Sequence, residues 1–374
     1  MNMTYSNEDL ISLFSCVKIV KGFKNGIICD LQRKQYTEIP LLVCDLILKI
    51  TNEKLNVYNA NQLVRDNELT GLIEWLLNND FIFMCKSIEE LNNFPEISEN
   101  WEYPMKLSNA IVDIECINNY SIDKALIELS EVNCDVLQFR FFKELDQSNL
   151  NNLLQMTIGK SFTNIELIIP NSTYTSDSYL KELIVTYSNI ISIIIYSSNN
   201  SSTYSHQQSS IYYTTQDINS ETDCGNINKK MFVCDLSFFN EAKSFNTCFN
   251  KKISIDKNGE IKNCPSLRKS FGNIANEKLK EIVQREDFDF FGNIKKDNIE
   301  VCKVCEYRYM CPDCRAYLKD ANDIYSQPAK CYYNPYIAKW KGEDGYISVD
   351  EIGRYNKNGE FIIKEKYGNS FTSH

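Results

Sequence analysis

The sequence predicts an α/β protein with a small N-terminal module, a partial (βα) barrel and a cysteine-rich C-terminal region. Residues 108–197 alternate strand-like and helix-like runs, which implies βαβ units around a parallel sheet. Residues 14–100 combine a hairpin signal with helical spacing of apolar residues. Seven of the 15 Cys lie between Cys248 and Cys331.

Length and charge limit the classes of protein that this chain can represent. Its 374 residues suffice for two or three domains of roughly 100–200 residues each. A net charge of −10 provides no basic surface for a phosphate backbone, so no nucleic-acid partner is expected. The first ten residues are acidic where a secretory signal would be basic, and no apolar run reaches about 18 residues. We therefore expect a cytoplasmic protein with reduced thiols and no membrane partner.

The N-terminal module is expected over residues 14–100 and is predicted to be winged-helix-like. Strand-like runs at 17–20 and 26–31 flank a turn, which indicates a hairpin. Residues 41–50 and 70–79 show helical spacing, and a short strand at 81–84 follows.

The (βα) region is expected over residues 101–232. It has strands at 109–114, 136–139, 165–169 and 190–196, and helices at 122–129, 150–157 and 178–187. Four such strands are too few to close a (βα) barrel of eight, so an open or partial barrel is expected. Residues 197–228 are rich in polar residues and are expected to form a long loop that carries His206.

The cysteine-rich region is expected over 233–345, with a turn at 256–259, and a hairpin tail around Asn358-Gly359 over 346–374. Its thiols follow the pattern Cys302-x2-Cys305-x5-Cys311-x2-Cys314, with Cys331 after sixteen more residues and Cys248-x10-Gly259-x4-Cys264 upstream. Pairs of Cys two residues apart can aim both sulfurs at one site. With only 2 His, any metal site must be built from sulfur.

Three interpretations of these thiols remain open from spacing alone. A zinc ribbon or treble clef would use four of the seven thiols, and inert thiols would be small buried hydrophobes. Iron-sulfur clusters are favoured because seven or eight soft ligands suffice for two four-thiolate clusters.

The cysteine pattern resembles the SPASM domain, the C-terminal extension of radical S-adenosylmethionine (SAM) peptide-modifying enzymes that binds two auxiliary 4Fe-4S clusters. The flanking residues 250–263 and 305–316 resemble the SPASM peptide maturases of grasp-with-spasm systems, and the resemblance extends over about 14–340. It implies a ribosomally made precursor peptide and an ATP-grasp ligase as partners. It also implies an outer cluster on Cys302, Cys305, Cys311 and Cys331, and an inner one on Cys248, Cys264 and Cys314.

The chain departs from that family at the inner cluster. Two residues separate Cys311 from Cys314, where three are usual, and no fourth inner ligand is obvious. Cys234 or Cys224 could supply it, or the site could stay open to a substrate group. Either thiol could instead be an ordinary core or loop residue.

The chain also lacks the three-thiol motif that radical chemistry on SAM requires. No two Cys are separated by three residues, and Cys116 stands alone near the expected position. Phe139-Arg140-Phe141-Phe142 replaces the expected glycine-rich turn. The (βα) region is therefore predicted to be a shortened, degenerate relative of the radical SAM barrel, with SAM not expected as a cofactor.

The leading functional hypothesis is an iron-sulfur SPASM protein that binds a precursor peptide and acts in its maturation with an ATP-grasp ligase. Its N-terminal module would bind the leader or merely cap the barrel. The alternatives are a redox or radical SAM-like enzyme that uses an auxiliary cluster, or a structural zinc protein. No catalytic residue is identified, because His206 and His374 are both in unpromising polar segments.

Overall fold

The computed structural model describes residues 5–63, 68–115, 120–356 and 359–367. The architecture is mixed α/β, and an eight-stranded sheet with mainly parallel pairings forms its centre. No helix in these ranges combines the length and apolar character needed to cross a bilayer.

The N-terminal part contains two small antiparallel sheets and a group of helices. Its elements are β1 (Leu10–Leu13), β2 (Val17–Lys21), β3 (Asn25–Asp30), β4 (Gln35–Pro40), α1 (Leu41–Asn52), α2 (Val57–Asn61), α3 (Glu68–Asn78), β5 (Ile82–Cys85) and α4 (Ile88–Leu91). The predicted hairpin is confirmed as β2 and β3, to which β4 adds, whereas β1 pairs with β5. Ile28, Ile47 and Ile73 are among the side chains of its buried core.

The alternation of strands and helices is confirmed in the central part. Its elements are β6 (Asn109–Ile114), α5 (Ile122–Glu131), β7 (Val136–Phe141), α6 (Gln147–Gln155), β8 (Asn164–Pro170), α7 (Asp177–Thr186), β9 (Ile190–Tyr196), β10 (Ser202–His206) and β11 (Ser209–Tyr213). Alternate residues of β8 are buried. Ser121 and Ser176 are the N-cap residues that precede α5 and α7. The sheet order β10-β11-β9-β8-β7-β6-β12-β13 leaves it open rather than closed.

The prediction of a long loop at 197–228 was wrong over the first half of that range. β10 and β11 form an antiparallel hairpin, and β11 joins the central sheet parallel to β9. Ile211 is fully buried opposite Ile193, whereas the polar residues of β10 are largely exposed. The turn holds Gln207 at φ 52°, a position where Asn or Gly would have signalled a hairpin.

The C-terminal part has little regular structure. Its elements are α8 (Leu236–Ser244), β12 (Lys252–Ile255), β13 (Ile261–Lys262), α9 (Leu279–Ile282), β14 (Tyr333–Asn334), β15 (Lys339–Trp340), α10 (Val349–Ile352), β16 (Gly353–Tyr355) and β17 (Phe361–Ile363). Both expected hairpins are confirmed, as β12 with β13 and β16 with β17, although Asn358 lies outside the described residues. Because β12 pairs in parallel with β6, the central sheet continues past the expected boundary at residue 232.

The sheet of β2, β3 and β4 packs directly on the C-terminal part. Ile27 and Cys29 share a buried cluster with Tyr307, Met310 and Tyr333. Phe23 N–H donates to the Val304 carbonyl at 2.8 Å. The cysteine-rich loops are thus held between the central sheet on one side and the N-terminal sheet on the other.

Candidate metal centre

Four thiols of the predicted outer set surround one small cavity. Cys302, Cys305, Cys311 and Cys331 all line it, and apolar rings such as Phe232, Tyr333 and Trp340 complete much of its wall. Local structure brings the first two together, because a 3-10 turn spans Cys302–Val304 and Cys305 N–H donates to the Cys302 carbonyl at 3.0 Å. The structure therefore brings together all four residues that the sequence assigned to this set.

Of the four outer cysteines, Cys311 is buried and the other three are half-buried, and the thiols influence one another. Burial raises the pKa of Cys302 and of Cys311 to about 12, and neighbouring thiols of the set contribute in the same direction. Burial likewise raises the pKa of Cys331 to about 11. Since metals bind the thiolate, binding at this site must release protons.

Cys224 lies near the three thiols that the family resemblance assigned to an inner set. Burial raises the pKa of Cys248 to about 12 and of Cys314 to about 11, and Cys224 is close enough to raise both further. Burial also raises the pKa of Cys264, and Cys224 again adds to the shift. Cys224, although exposed, is therefore the better placed of the two candidates for the fourth position of the inner set.

The loop that carries Cys224 approaches the other thiols closely. Gly225 adopts φ +85°, and a Cβ atom there would lie 3.0 Å from the Cys314 Sγ atom. Lys330 Nζ holds the loop in place by donating to the Cys224 carbonyl at 2.7 Å. On the opposite side, Asn246 Oδ1 accepts the Cys248 N–H at 3.0 Å.

Cys234, the other candidate for the fourth position, lies elsewhere. It is buried in the cluster between the N-terminal sheet and the C-terminal part, and its Sγ donates to the Gln35 carbonyl at 3.1 Å. Its neighbour in this cluster, Cys29, donates from Sγ to the Met310 Sδ atom at 3.6 Å. Cys44 and Cys134 belong to two further hydrophobic clusters, and Cys116 lies outside the described residues.

The outer thiols line a small cavity, and neither group of thiols forms a closed coordination shell among the described residues. In the described ranges no three Cys, His, Asp or Glu side chains are arranged to hold a single metal ion as they stand. The fit to a metal group rests instead on donor chemistry, because four soft sulfur ligands per site suit zinc or iron-sulfur clusters.

A lysine accompanies each set, half-buried Lys252 at the inner thiols and buried Lys296 at the outer ones, and the sequence did not indicate either. Lys252 lies close enough to Cys248 and Cys264 to lower the pKa of each thiol, against the larger effect of burial. Lys296 lines the cavity of the outer set. A lysine in a lysine-rich chain carries no sequence signal of burial, so only the fold reveals these two.

A buried ion pair lies where two strands of the central sheet end. Arg140 on β7 donates from Nε to Asp113 Oδ1 at 2.6 Å and from Nη2 to Oδ2 at 2.7 Å. Asp113 lies on β6, directly opposite Arg140 in the sheet register. Arg140 belongs to the segment Phe139-Arg140-Phe141-Phe142, which stands where the resemblance to radical SAM enzymes predicts a glycine-rich turn.

Comparisons with known proteins bear on the cysteine-rich region. Residues 248–306 match the family model of SPASM, an iron-sulfur cluster-binding domain, and this segment holds two thiols of each set. No curated protein matches the chain.

Solved structures with some likeness to this chain include three of Streptococcus suis SuiB. SuiB bound to S-adenosylmethionine gives a TM-score of 0.30 at 10% identity and covers 88% of this chain and 100% of its own. SuiB alone gives 0.29 at 11% identity over 88% and 100%, and SuiB bound to the precursor peptide SuiA gives 0.28 at 10% identity over 82% and 96%. Scores this low carry no argument. The chain thus contains, over residues 248–306, a segment similar to the SPASM iron-sulfur cluster-binding domain.

Proposed function

We propose that this chain is an iron-sulfur protein that holds two clusters, each on four thiolates. The outer set is Cys302, Cys305, Cys311 and Cys331, and the inner set is Cys224, Cys248, Cys264 and Cys314. The observation that carries the proposal is that Cys302, Cys305, Cys311 and Cys331 line one cavity. It is supported by the closeness of Cys224 to Cys248, Cys264 and Cys314. Four thiolates are the usual ligand set of a 4Fe-4S cluster.

Residues around each set suit a role in holding such a group. Clusters bound here would supply one-electron redox chemistry and would tie loops together, as structural metals do. The rings of Phe232, Tyr333 and Trp340 keep water from the outer thiols. Asn246 fixes the inner set by accepting the N–H of Cys248 and donating to Asp313 at 2.6 Å.

We propose further that the chain does not carry out radical SAM chemistry. The support is the sequence itself, in which no two Cys are separated by three residues. The Asp113–Arg140 pair adds support, because both side chains are buried at the ends of their strands. The test is to incubate the anaerobically reconstituted protein with SAM and a reductant. Release of 5′-deoxyadenosine above background would overturn this part of the proposal.

The biological role that we propose is maturation of a ribosomally made peptide together with an ATP-grasp ligase. It is supported by the sequence resemblance described above and by the SPASM match over 248–306. A groove on the N-terminal module, lined by the rings of Phe14, Phe83 and Phe94 and by polar residues such as Ser15 and Asn92, offers a surface for a leader segment. Its test is co-purification of the chain with a precursor peptide and a ligase encoded beside it, compared with a Phe83→Asp variant.

Structural zinc is the second candidate, because four thiolates at each of two sites also suit two zinc ions. Elemental analysis of the purified protein distinguishes the two candidates. About eight irons per chain supports the clusters, whereas about two zinc ions without iron supports the alternative.

A further inference from the structure

Lys296 places a buried positive charge in the wall of the outer thiol set. The residue is only 3% exposed, and it lines the same cavity as the four thiols of that set. Its Nζ atom is buried and has no hydrogen-bond partner among the described residues. A charge buried without a partner is strongly unfavourable, so this ammonium requires an anion that the protein atoms around it do not fully provide.

The nearby carboxylate does not neutralise Lys296 by itself. Asp313 Oδ1 lies 3.6 Å from Lys296 Nζ, but the same oxygen accepts a hydrogen bond from Arg315 Nη2 at 2.8 Å. The Arg315 side chain is fully buried as well. Two buried cations therefore share one buried carboxylate, which leaves one positive charge in excess beside the cavity.

Two other charged residues near the cavity, Arg308 and Glu306, form no ion pair with Lys296. Arg308 donates to Asp297 and to the carbonyls of Lys21 and Cys305. Burial raises the pKa of Glu306 to about 7, and its Oε1 accepts the Tyr333 hydroxyl. The other carboxyl oxygen of Glu306 is buried beside Gly22, in the turn between β2 and β3, and has no hydrogen-bond partner among the described residues.

A four-thiolate iron-sulfur cluster would supply the missing negative charge, because four thiolates outweigh the positive charge of its core. We propose that Lys296 is the positioning residue that compensates this charge at the outer site and raises the reduction potential of the cluster there. The inference rests on the proposed function, since it requires a cluster at the outer set. Cluster potentials depend on net charge and on hydrogen bonds to the sulfurs, which are the two properties that this ammonium changes.

The test compares three full-length variants after anaerobic reconstitution. Lys296→Met removes the charge but keeps a long flexible side chain, and Lys296→Arg keeps the charge. Lys280→Met removes an exposed lysine of α9 and serves as the control. Each protein is measured for iron content and for the midpoint potentials of both clusters, by redox titration followed by electron paramagnetic resonance.

The expected result is a more negative midpoint potential for one cluster in Lys296→Met, with the second cluster unchanged and with Lys296→Arg and Lys280→Met close to the parent protein. Loss of about half of the iron from Lys296→Met, with full iron in Lys296→Arg, also supports the inference. Both substitutions alter the shape of the pocket, but only Lys296→Met removes the charge. Unchanged potentials and full iron in Lys296→Met overturn it. Equal loss of iron from Lys296→Met and Lys296→Arg overturns it too, because packing rather than charge would then matter. If the parent protein takes up no iron, the proposed function fails rather than the role of Lys296.

Discussion

Gly225 lies so close to Cys314 that a Cβ atom at position 225 would be 3.0 Å from the Cys314 Sγ atom. The contact joins the loop after Cys224 to the last thiol of the Cys302–Cys314 run, across about 90 residues of sequence. Gly225 also has φ +85°, where other residues are strained. Both properties make this glycine the feature that allows Cys224 to join the inner set.

Gly225→Ala should therefore weaken the inner site. The positive φ and the contact with Cys314 together should lower the free energy of unfolding by about 1–3 kcal/mol. The reconstituted variant should also hold less iron than the parent. Gly159→Ala is the matched control, because Gly159 has φ +75° but nothing lies within 4 Å of its added Cβ. Equal iron content in the two variants would show that the Gly225 contact does not support the site.

Cys224 and Cys234 allow a direct comparison of two thiols that the sequence could not separate. Cys224→Ser should lose about half of the iron, because one four-thiolate set is broken. Cys234→Ser should keep all of it, since that thiol hydrogen-bonds within the cluster beside the N-terminal sheet. The reverse result would move the fourth inner ligand to Cys234.

The outer set should respond independently of the inner one. Replacement of both Cys302 and Cys305 by Ser should remove one cluster, leave about four irons per chain and destabilise the surrounding loops. Cys44→Ser and Cys85→Ser are controls, because both thiols are buried in the N-terminal part. Iron loss in either control would mean that thiols outside the two sets contribute ligands.

The sequence predicted the structural features that are determined by residues close together in the chain. The Asn-Gly turn at 258–259 and the alternating strands of residues 108–197 are local signals, and both are confirmed. The Gln207-Gln208 turn has no such signal, so the hairpin of β10 and β11 was missed. The outer thiols lie within thirty residues of one another, and the family resemblance of their motif assigned all four to one set.

The fourth inner thiol and the buried cations depend on folding across long separations. Cys224 precedes Cys248 by more than twenty residues in a polar segment, so no spacing rule connects it with Cys314. Lys296 is buried only because the loop around Asp313 folds over it. Contacts of this kind arise from tertiary packing and leave no local pattern.

The buried pair of Arg140 and Asp113 should be important for stability even without a catalytic role. Arg140→Leu leaves the Asp113 carboxylate buried without its partner and should cost about 3–5 kcal/mol in the free energy of unfolding. Lys143→Ala breaks an exposed pair with Glu115 and should change the free energy of unfolding much less, because solvent screens that pair. Urea unfolding measures the free energy of unfolding of both variants. Similar decreases in the two variants would show that the buried pair stabilises the fold no more than the exposed one.

Stability should depend on pH through Glu241. Burial raises the pKa of this carboxyl to about 7, although Asn250 and the charge of Lys252 act in the opposite direction. The folded protein therefore binds more protons than the unfolded chain between about pH 4.5 and 7, so its stability falls as the pH rises through that range.

Glu241→Gln should flatten this dependence, and the difference from the parent should be on the order of 1–3 kcal/mol between pH 5 and 8. Glu286→Gln, at an exposed position, is the control and should leave the pH profile unchanged. An unaltered profile in Glu241→Gln would assign the dependence to other groups.

The central claim is that eight thiols form two separate four-thiolate iron-sulfur sites. Its most direct test is the iron and sulfide content per chain of the anaerobically reconstituted protein, measured beside Cys224→Ser. We expect about eight irons in the parent protein and about four in the variant. Zinc without iron in the parent, or equal iron in the two proteins, would contradict the claim.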